Sequence, residues 1–304
     1  MGKVAFLFPG QGSQYVGMAK DLFEKSDDAK KMIRDAEEAI DFELSKVMFE
    51  GPEEALKQTD VTQPSIFLHS VVLNHFIKNI KPDVVAGHSL GEYSSLVAAN
   101  AIDFVSAMKL VRFRGQYMLQ AGIEQPGTMA AVIGLDQESL VKVCETASSK
   151  GIVQCANFNS PGQVVISGSI EGVNEGMKLA KEAGAKIVKQ LVVSGAFHSP
   201  LMQSASEKLK EKLDETEFGD AEIPVYANVS AKPVQDKEEI RDLLLKQLNA
   251  PVRWAETIKN MISDGVDEFI EVGPGKVLQG LVKRINSDVK FAGIDKFEDL
   301  ERYM

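Results

Sequence analysis

Asp83 to Asn100, D-V-V-A-G-H-S-L-G-E-Y-S-S-L-V-A-A-N, is the stretch that decides the fold. Val84-Val85-Ala86 is a short apolar run that suits a buried strand. From Leu90 onward come helix formers with apolar residues at helical spacing: Leu90, Tyr93, Val97 and Ala98. Between the two lies Gly87-His88-Ser89-Leu90-Gly91, a G-x-S-x-G pattern in the strand-turn-helix setting where it reads as a nucleophile elbow. The reason for the glycines is steric. A serine held on so sharp a turn leaves little room for side chains two residues to either side. The helix that follows starts beneath Ser89, and its free N–H groups and positive dipole end suit a developing oxyanion.

Around this stretch the chain has 304 residues, 44% hydrophobic and 26% charged, the make-up of an ordinary globular protein. That length suits one large domain, or one domain carrying a smaller inserted one. A net charge of −10 speaks against nucleic acid as a partner, and an acidic partner would have to dock on a local basic patch. Cys144 and Cys155 lack metal or C-x-x-C spacing and read as reduced packing residues. His69 and His75 do not share a helix face as i,i+4 ligands would, so no metal site is expected. The first apolar run is too short for a signal peptide and no later run approaches membrane-spanning length. A cytoplasmic protein without membrane contact is expected.

Lys3 to Phe8 reads as a buried strand that breaks at Pro9-Gly10 into Gln11-Gly12-Ser13-Gln14. A dinucleotide loop is excluded because Tyr15 stands where a third glycine is needed. The loop is either a plain turn or a device that places Gln11 beside a reacting centre. Helical patterning is expected from Tyr15 to about Ile40, broken near Ser26-Asp27, and again from Thr62 as N-cap, with Pro64 in the first turn, to Ile80. From Asp103 to Gln120 a helix turns Phe104, Ala107, Met108, Val111, Gly115 and Met118 inward, with Arg114 at the edge of that stripe. A guanidinium beside a core keeps its charge and needs an anion. Two readings are open: an internal ion pair, or a fork that grips a substrate carboxylate.

Residues 128–193 alternate as β-α-β-β-α-β, the split-βαβ, ferredoxin-like unit. The expected fold is therefore α/β, with an α/β-hydrolase-like large domain built on a parallel sheet. It would comprise residues 1–125 and 195–304, with the small ferredoxin-like domain inserted as residues 126–194.

Ser89 needs a general base within hydrogen-bond reach. Of the four histidines only His198 lies downstream, as the α/β-hydrolase order requires. His88 adjoins Ser89, but neighbours on an elbow point apart, so it is expected to make local hydrogen bonds. No carboxylate stands out as third member. A backbone carbonyl or an amide can orient the imidazole instead, which makes a dyad an open reading.

Further motifs recur in order along the chain: F-P-G-Q-G-S-Q from Phe8, T-x-x-x-Q-P from Thr59, G-H-S-L-G-E from Gly87 and R-G-Q-x-M from Arg114. They continue with N-x-N-S-P-G-Q from Asn157, G-A-F-H-S from Gly195, P-V-R-W from Pro251 and E-x-G-P-G from Glu271. In this combination the chain resembles, over nearly its whole length, the malonyl-CoA:acyl-carrier-protein transacylases of bacterial fatty-acid synthesis. The resemblance implies ping-pong transfer of malonyl from coenzyme A, through Ser89 activated by His198, to the phosphopantetheine thiol of acyl carrier protein. It implies an oxyanion hole from the backbone amides of Gln11 and Leu90, with Arg114 on the malonyl carboxylate. Gln247 would orient the histidine, Gln63 and Asn159 would line the pocket, and Phe197 fits the malonyl-type signature. Coenzyme A enters as a substrate thioester, with no permanently bound cofactor. Lys181, Lys186, Lys189, Lys276, Lys283 and Arg284 are candidates for docking the acidic carrier.

Three other readings share the elbow: a thioesterase or other hydrolase, an acyltransferase serving a polyketide synthase, and a silent carrier-binding subunit. A hydrolase of neutral acyl groups has no use for an inward arginine. A silent subunit has no need of Ser89, His198, Arg114 and Gln11 together.

Overall fold

Two sheets share the strands of the computed structural model, which describes residues 2–304. The strands are β1 (Lys3–Phe8), β2 (Val84–Gly87), β3 (Gly127–Ile133), β4 (Val153–Ser160), β5 (Gln163–Ser169), β6 (Ile187–Gln190), β7 (Val225–Tyr226), β8 (Pro233–Val234), β9 (Val266–Val272) and β10 (Lys290–Ile294). The larger sheet has the order β10-β9-β1-β2-β7-β8 and is parallel except for β8, an antiparallel edge. Helices cover its faces, so β2 is buried throughout and reads as an unbroken apolar run.

This sheet explains why distant residues meet. Strands β1 and β2 pair in parallel with Phe8 opposite Gly87, so the loops leaving their carboxyl ends emerge side by side. One carries Gln11 and the other Ser89; β7, paired to β2 on the other side, brings Asn228 to the same edge. Open α/β sheets place their sites at this edge. The elbow itself is as tight as the glycines suggest. Ser89 sits at φ 51, in the left-handed region. A Cβ on Gly87 would lie 1.8 Å from the Gly91 carbonyl carbon, and one on Gly91 would lie 2.0 Å from the Phe8 oxygen.

The smaller sheet, ordered β4-β5-β3-β6, is antiparallel, and helices Gln137–Ala147 and Ile170–Glu182 pack on it in the split-βαβ arrangement. It has its own core, which includes Val132, Leu140, Ile166 and Val173. Cys144 and Cys155 are free thiols in that core, 3.9 Å apart. Two backbone bonds tie this sheet to the segment before Trp254: Phe158 N–H to the Val252 oxygen at 2.9 Å, and Val252 N–H to the Ala156 oxygen at 2.8 Å.

Two local expectations are corrected. Tyr15 does not start a helix; the chain turns until Lys20 because Gly17 (φ 98) and Ala19 (φ 59) are left-handed. The helix expected from Thr62 begins at Thr59, and Pro64 lies inside it. Proline has no N–H for the carbonyl four residues back. Here the freed Asp60 carbonyl accepts from Arg112 Nη1, which also pairs with Asp60 Oδ2 at 3.1 Å. Strand β4 runs through Ser160, which puts Asn159 on a strand. Among the described residues, no helix is long and apolar enough to cross a membrane.

Candidate active site

Ser89 Oγ lies 2.8 Å from His198 Nε2, although 109 residues separate them. The opposite ring nitrogen, Nδ1, lies 2.8 Å from the backbone oxygen of Gln247. A carbonyl only accepts, so Nδ1 carries the proton and Nε2 presents its lone pair to the serine hydroxyl. This is the tautomer a general base needs. Of the two ways to orient the imidazole left open by the sequence, it is the main-chain oxygen of Gln247 that faces His198, whereas its side chain bonds elsewhere. His198 is held from behind as well, since Gln154 Nε2 donates to its carbonyl at 2.8 Å.

Burial presses the His198 pKa down to about 3, helped by the nearby Arg114 charge. An imidazole whose pKa is lowered stays neutral, and so able to accept a proton, at every pH above that value. The acylation kcat/KM is therefore expected not to drop as pH falls through about 6.5, the ordinary histidine value. Rapid-quench loading between pH 5 and pH 8, with unfolding monitored in parallel, checks this. Activity lost toward low pH along a limb centred near 6.5 would show that His198 titrates as an exposed residue.

Arg114 is fully buried, at 0% exposure. Its Nη1 donates to Gln63 Oε1 at 2.6 Å, and its Nη2 donates to Gln247 Oε1 at 2.9 Å and to Ser89 Oγ at 3.1 Å. All three acceptors are neutral. Of the two readings open at the sequence level, the internal ion pair is not what the guanidinium makes. Its face lies 5.6 Å from the Tyr93 ring centroid, which adds a cation–π contact.

The main chain around Ser89 is also assigned. Ser89 N–H donates to Asn228 Oδ1 at 2.7 Å, so this amide is occupied. The amides of Leu90 and Gln11 have no acceptor among the described residues, and both residues line the cavity over Ser89. Two free amides, one on the loop after β1 and one at the start of the elbow helix, are what an oxyanion hole requires. The Gln11 side chain makes only a long contact, 3.4 Å, to Thr59 Oγ1.

The cavity encloses about 190 Å³. That is below the roughly 300–1,000 Å³ of pockets for drug-sized ligands, and suits a short acyl group. Gln63, Asn159 and Phe197 all line it, together with Met118 and Met129. His88 Nε2 lies 2.8 Å from Asn159 Oδ1, and its ring packs 5.4 Å from that of Trp254. Its bond thus reaches across to the small sheet instead of staying local, and fixes the pocket-lining Asn159.

Comparison with known proteins places this geometry. The acyl transferase domain family matches residues 5–294. The malonyl CoA-acyl carrier protein transacylase of Bacillus subtilis (strain 168) is 48% identical over 304 residues, covering 99% of this chain and 96% of the relative. The chain belongs to the malonyl CoA-acyl carrier protein transacylase family. Among solved structures, an acyl carrier protein S-malonyltransferase from Vibrio cholerae superposes with a TM-score of 0.95 at 43% identity, covering 99% of this chain and 100% of the other. A malonyl-transacylase in complex with its type II PKS acyl-carrier protein superposes with a TM-score of 0.95 at 41% identity, covering 99% and 98%.

Two residues of this family member's site were not singled out from sequence. Asn228 accepts from Ser89 N–H and donates from Nδ2 to the Gly87 oxygen at 2.6 Å. Glu92, in the first turn of the elbow helix, accepts from Asn228 N–H at 3.0 Å and from Gln247 Nε2 at 2.8 Å. A usable signal existed for each. Asn228 closes the strand-like run Pro224-Val225-Tyr226-Ala227-Asn228, and Glu92 is a charge amid otherwise uncharged, largely apolar residues.

Proposed function

We propose that this chain moves a malonyl group from coenzyme A to the phosphopantetheine thiol of acyl carrier protein, by way of a malonyl ester on Ser89. In this reading it supplies fatty-acid elongation in the cytoplasm, with the coenzyme A thioester as substrate and no resident cofactor. The observation that carries it is Arg114: a buried guanidinium on neutral acceptors, 3.1 Å from the nucleophilic oxygen. A three-carbon acyl group with a terminal carboxylate supplies the missing anion while its thioester carbon meets Ser89 Oγ.

Ser89 Oγ attacks the thioester carbon and its proton passes to His198 Nε2. The oxyanion is held by the Gln11 and Leu90 amides, and the carbon–sulfur bond breaks as coenzyme A leaves with that proton. The carrier thiol then gives its proton to His198, attacks the ester, and releases Ser89 reprotonated. The measurement that tests this is a chase. Enzyme loaded with radiolabelled malonyl-CoA is mixed with holo carrier protein, and label in the carrier is compared with label in free malonate. Carrier is expected to take nearly all of it; malonate as the main product would make the chain a hydrolase.

A further inference from the structure

Glu92 is 3% exposed, in a place where a carboxylate is costly to bury. Both of its hydrogen bonds fall on one oxygen, Oε2, from Asn228 N–H and Gln247 Nε2. Each partner touches the reacting groups. Asn228 holds the amide of Ser89. Gln247 gives its backbone oxygen to His198 Nδ1, its Oε1 to Arg114 Nη2, and its Nε2 to the Ser89 oxygen at 3.0 Å as well as to Glu92. The Gln247 amide therefore stands in series between a guanidinium and a carboxylate: it accepts from the one and donates to the other.

Resting on the functional reading above, we propose that Glu92 is a positioning residue that sets the grip of Arg114. Its charge, relayed through the Gln247 amide, compensates the guanidinium while the pocket is empty and competes with the malonyl carboxylate when it is filled. Hydrogen bonding alone does not require a carboxylate here, because the single oxygen of a glutamine amide could accept both bonds. Burial raises the Glu92 pKa to about 7, against the Asn228 and Gln247 hydrogen bonds and the Arg114 charge. At pH 8 the carboxylate form therefore predominates.

The test compares the wild type with Glu92→Gln and Glu92→Asp at pH 8, using malonyl-CoA and acetyl-CoA. Glu92→Gln keeps both acceptor bonds and removes the charge. Its KM for malonyl-CoA is expected to fall, and its malonyl-to-acetyl ratio of kcat/KM to rise, by about 3–10-fold each. Glu92→Asp keeps the charge and is expected to hold the wild-type ratio within about twofold. Calorimetric titration with free malonate gives an independent readout, and tighter binding to Glu92→Gln is expected there too. A structural carboxyl would leave Glu92→Gln like the wild type, or change both thioesters alike, and either result overturns the proposal. Should Glu92→Gln not fold, a shift of the ratio in folded Glu92→Asp beyond that limit overturns it, and retention of the ratio supports it. A wild-type enzyme indifferent to the carboxylate would overturn the functional reading as well; a selective wild type with an indifferent Glu92→Gln overturns this proposal alone.

Discussion

Ser89→Ala is expected to gain no mass on mixing with malonyl-CoA, and its rate of transfer to carrier protein to fall by about four to six powers of ten. The elbow should survive the change. Its shape rests on Gly87, Gly91 and main-chain bonds, including Ser89 N–H to Asn228, none of which involves the hydroxyl. Alanine at φ 51 meets the same left-handed strain as serine, so little stability should be lost on that account. Intact-mass spectrometry with a thermal melt as control therefore isolates chemistry from folding. His198→Ala is the informative companion. Without the base, acylation should slow by about 10²–10⁴-fold, yet the full mass of one malonyl group should still accumulate. A variant that lacks amplitude and one that lacks only rate separate nucleophile from base. A malonyl adduct on Ser89→Ala would place the nucleophile elsewhere.

The two halves of this site differ in how far the sequence exposes them, and the reason is range. The elbow is a local constraint: strand, turn and helix lie within residues 83–100, and the glycine spacing follows from sterics. His198 could be reached only by elimination, because its 109-residue separation from Ser89 is closed by tertiary structure. The helical wheel put Arg114 beside the core, but its acceptors come from Gln63 and Gln247, which are 51 and 133 residues away. No periodicity reports that those acceptors are neutral. Gln247 shows the limit most clearly. The family resemblance pointed to the residue, but only coordinates assign its backbone oxygen to His198 and its side chain to Arg114 and Glu92. Pro64 failed for a related reason. Local rules put proline in a first turn, and the fold overrides them by giving the freed Asp60 carbonyl to Arg112.

Arg114→Ala tests whether this guanidinium separates a malonyl transferase from a general serine acylase. In the wild type a bound malonyl carboxylate would meet a guanidinium already aimed by Gln63 and Gln247, so little ordering remains to be done on binding. Truncating one partner of a buried charge pair costs about 2–5 kcal/mol. The kcat/KM for malonyl-CoA should therefore fall by about 30- to 5,000-fold. Acetyl-CoA has no carboxylate to lose, and in the wild type its methyl group keeps water from the guanidinium without replacing the bonds. Its kcat/KM should hold steady or rise, so the preference for malonyl should collapse. General damage to the site predicts something else. Losing Arg114 also leaves Gln63 Oε1 and Gln247 Oε1 without their donor, and a melt should show some destabilisation. Were that the cause of the lost activity, both thioesters would suffer together. Arg114→Lys sharpens the contrast, since an ammonium keeps the charge but cannot form the same planar fork to Gln63 and Gln247. It should recover part of the malonyl rate and little of the discrimination. Equal losses on malonyl-CoA and acetyl-CoA across both variants would mean that Arg114 supports the pocket without reading the substrate.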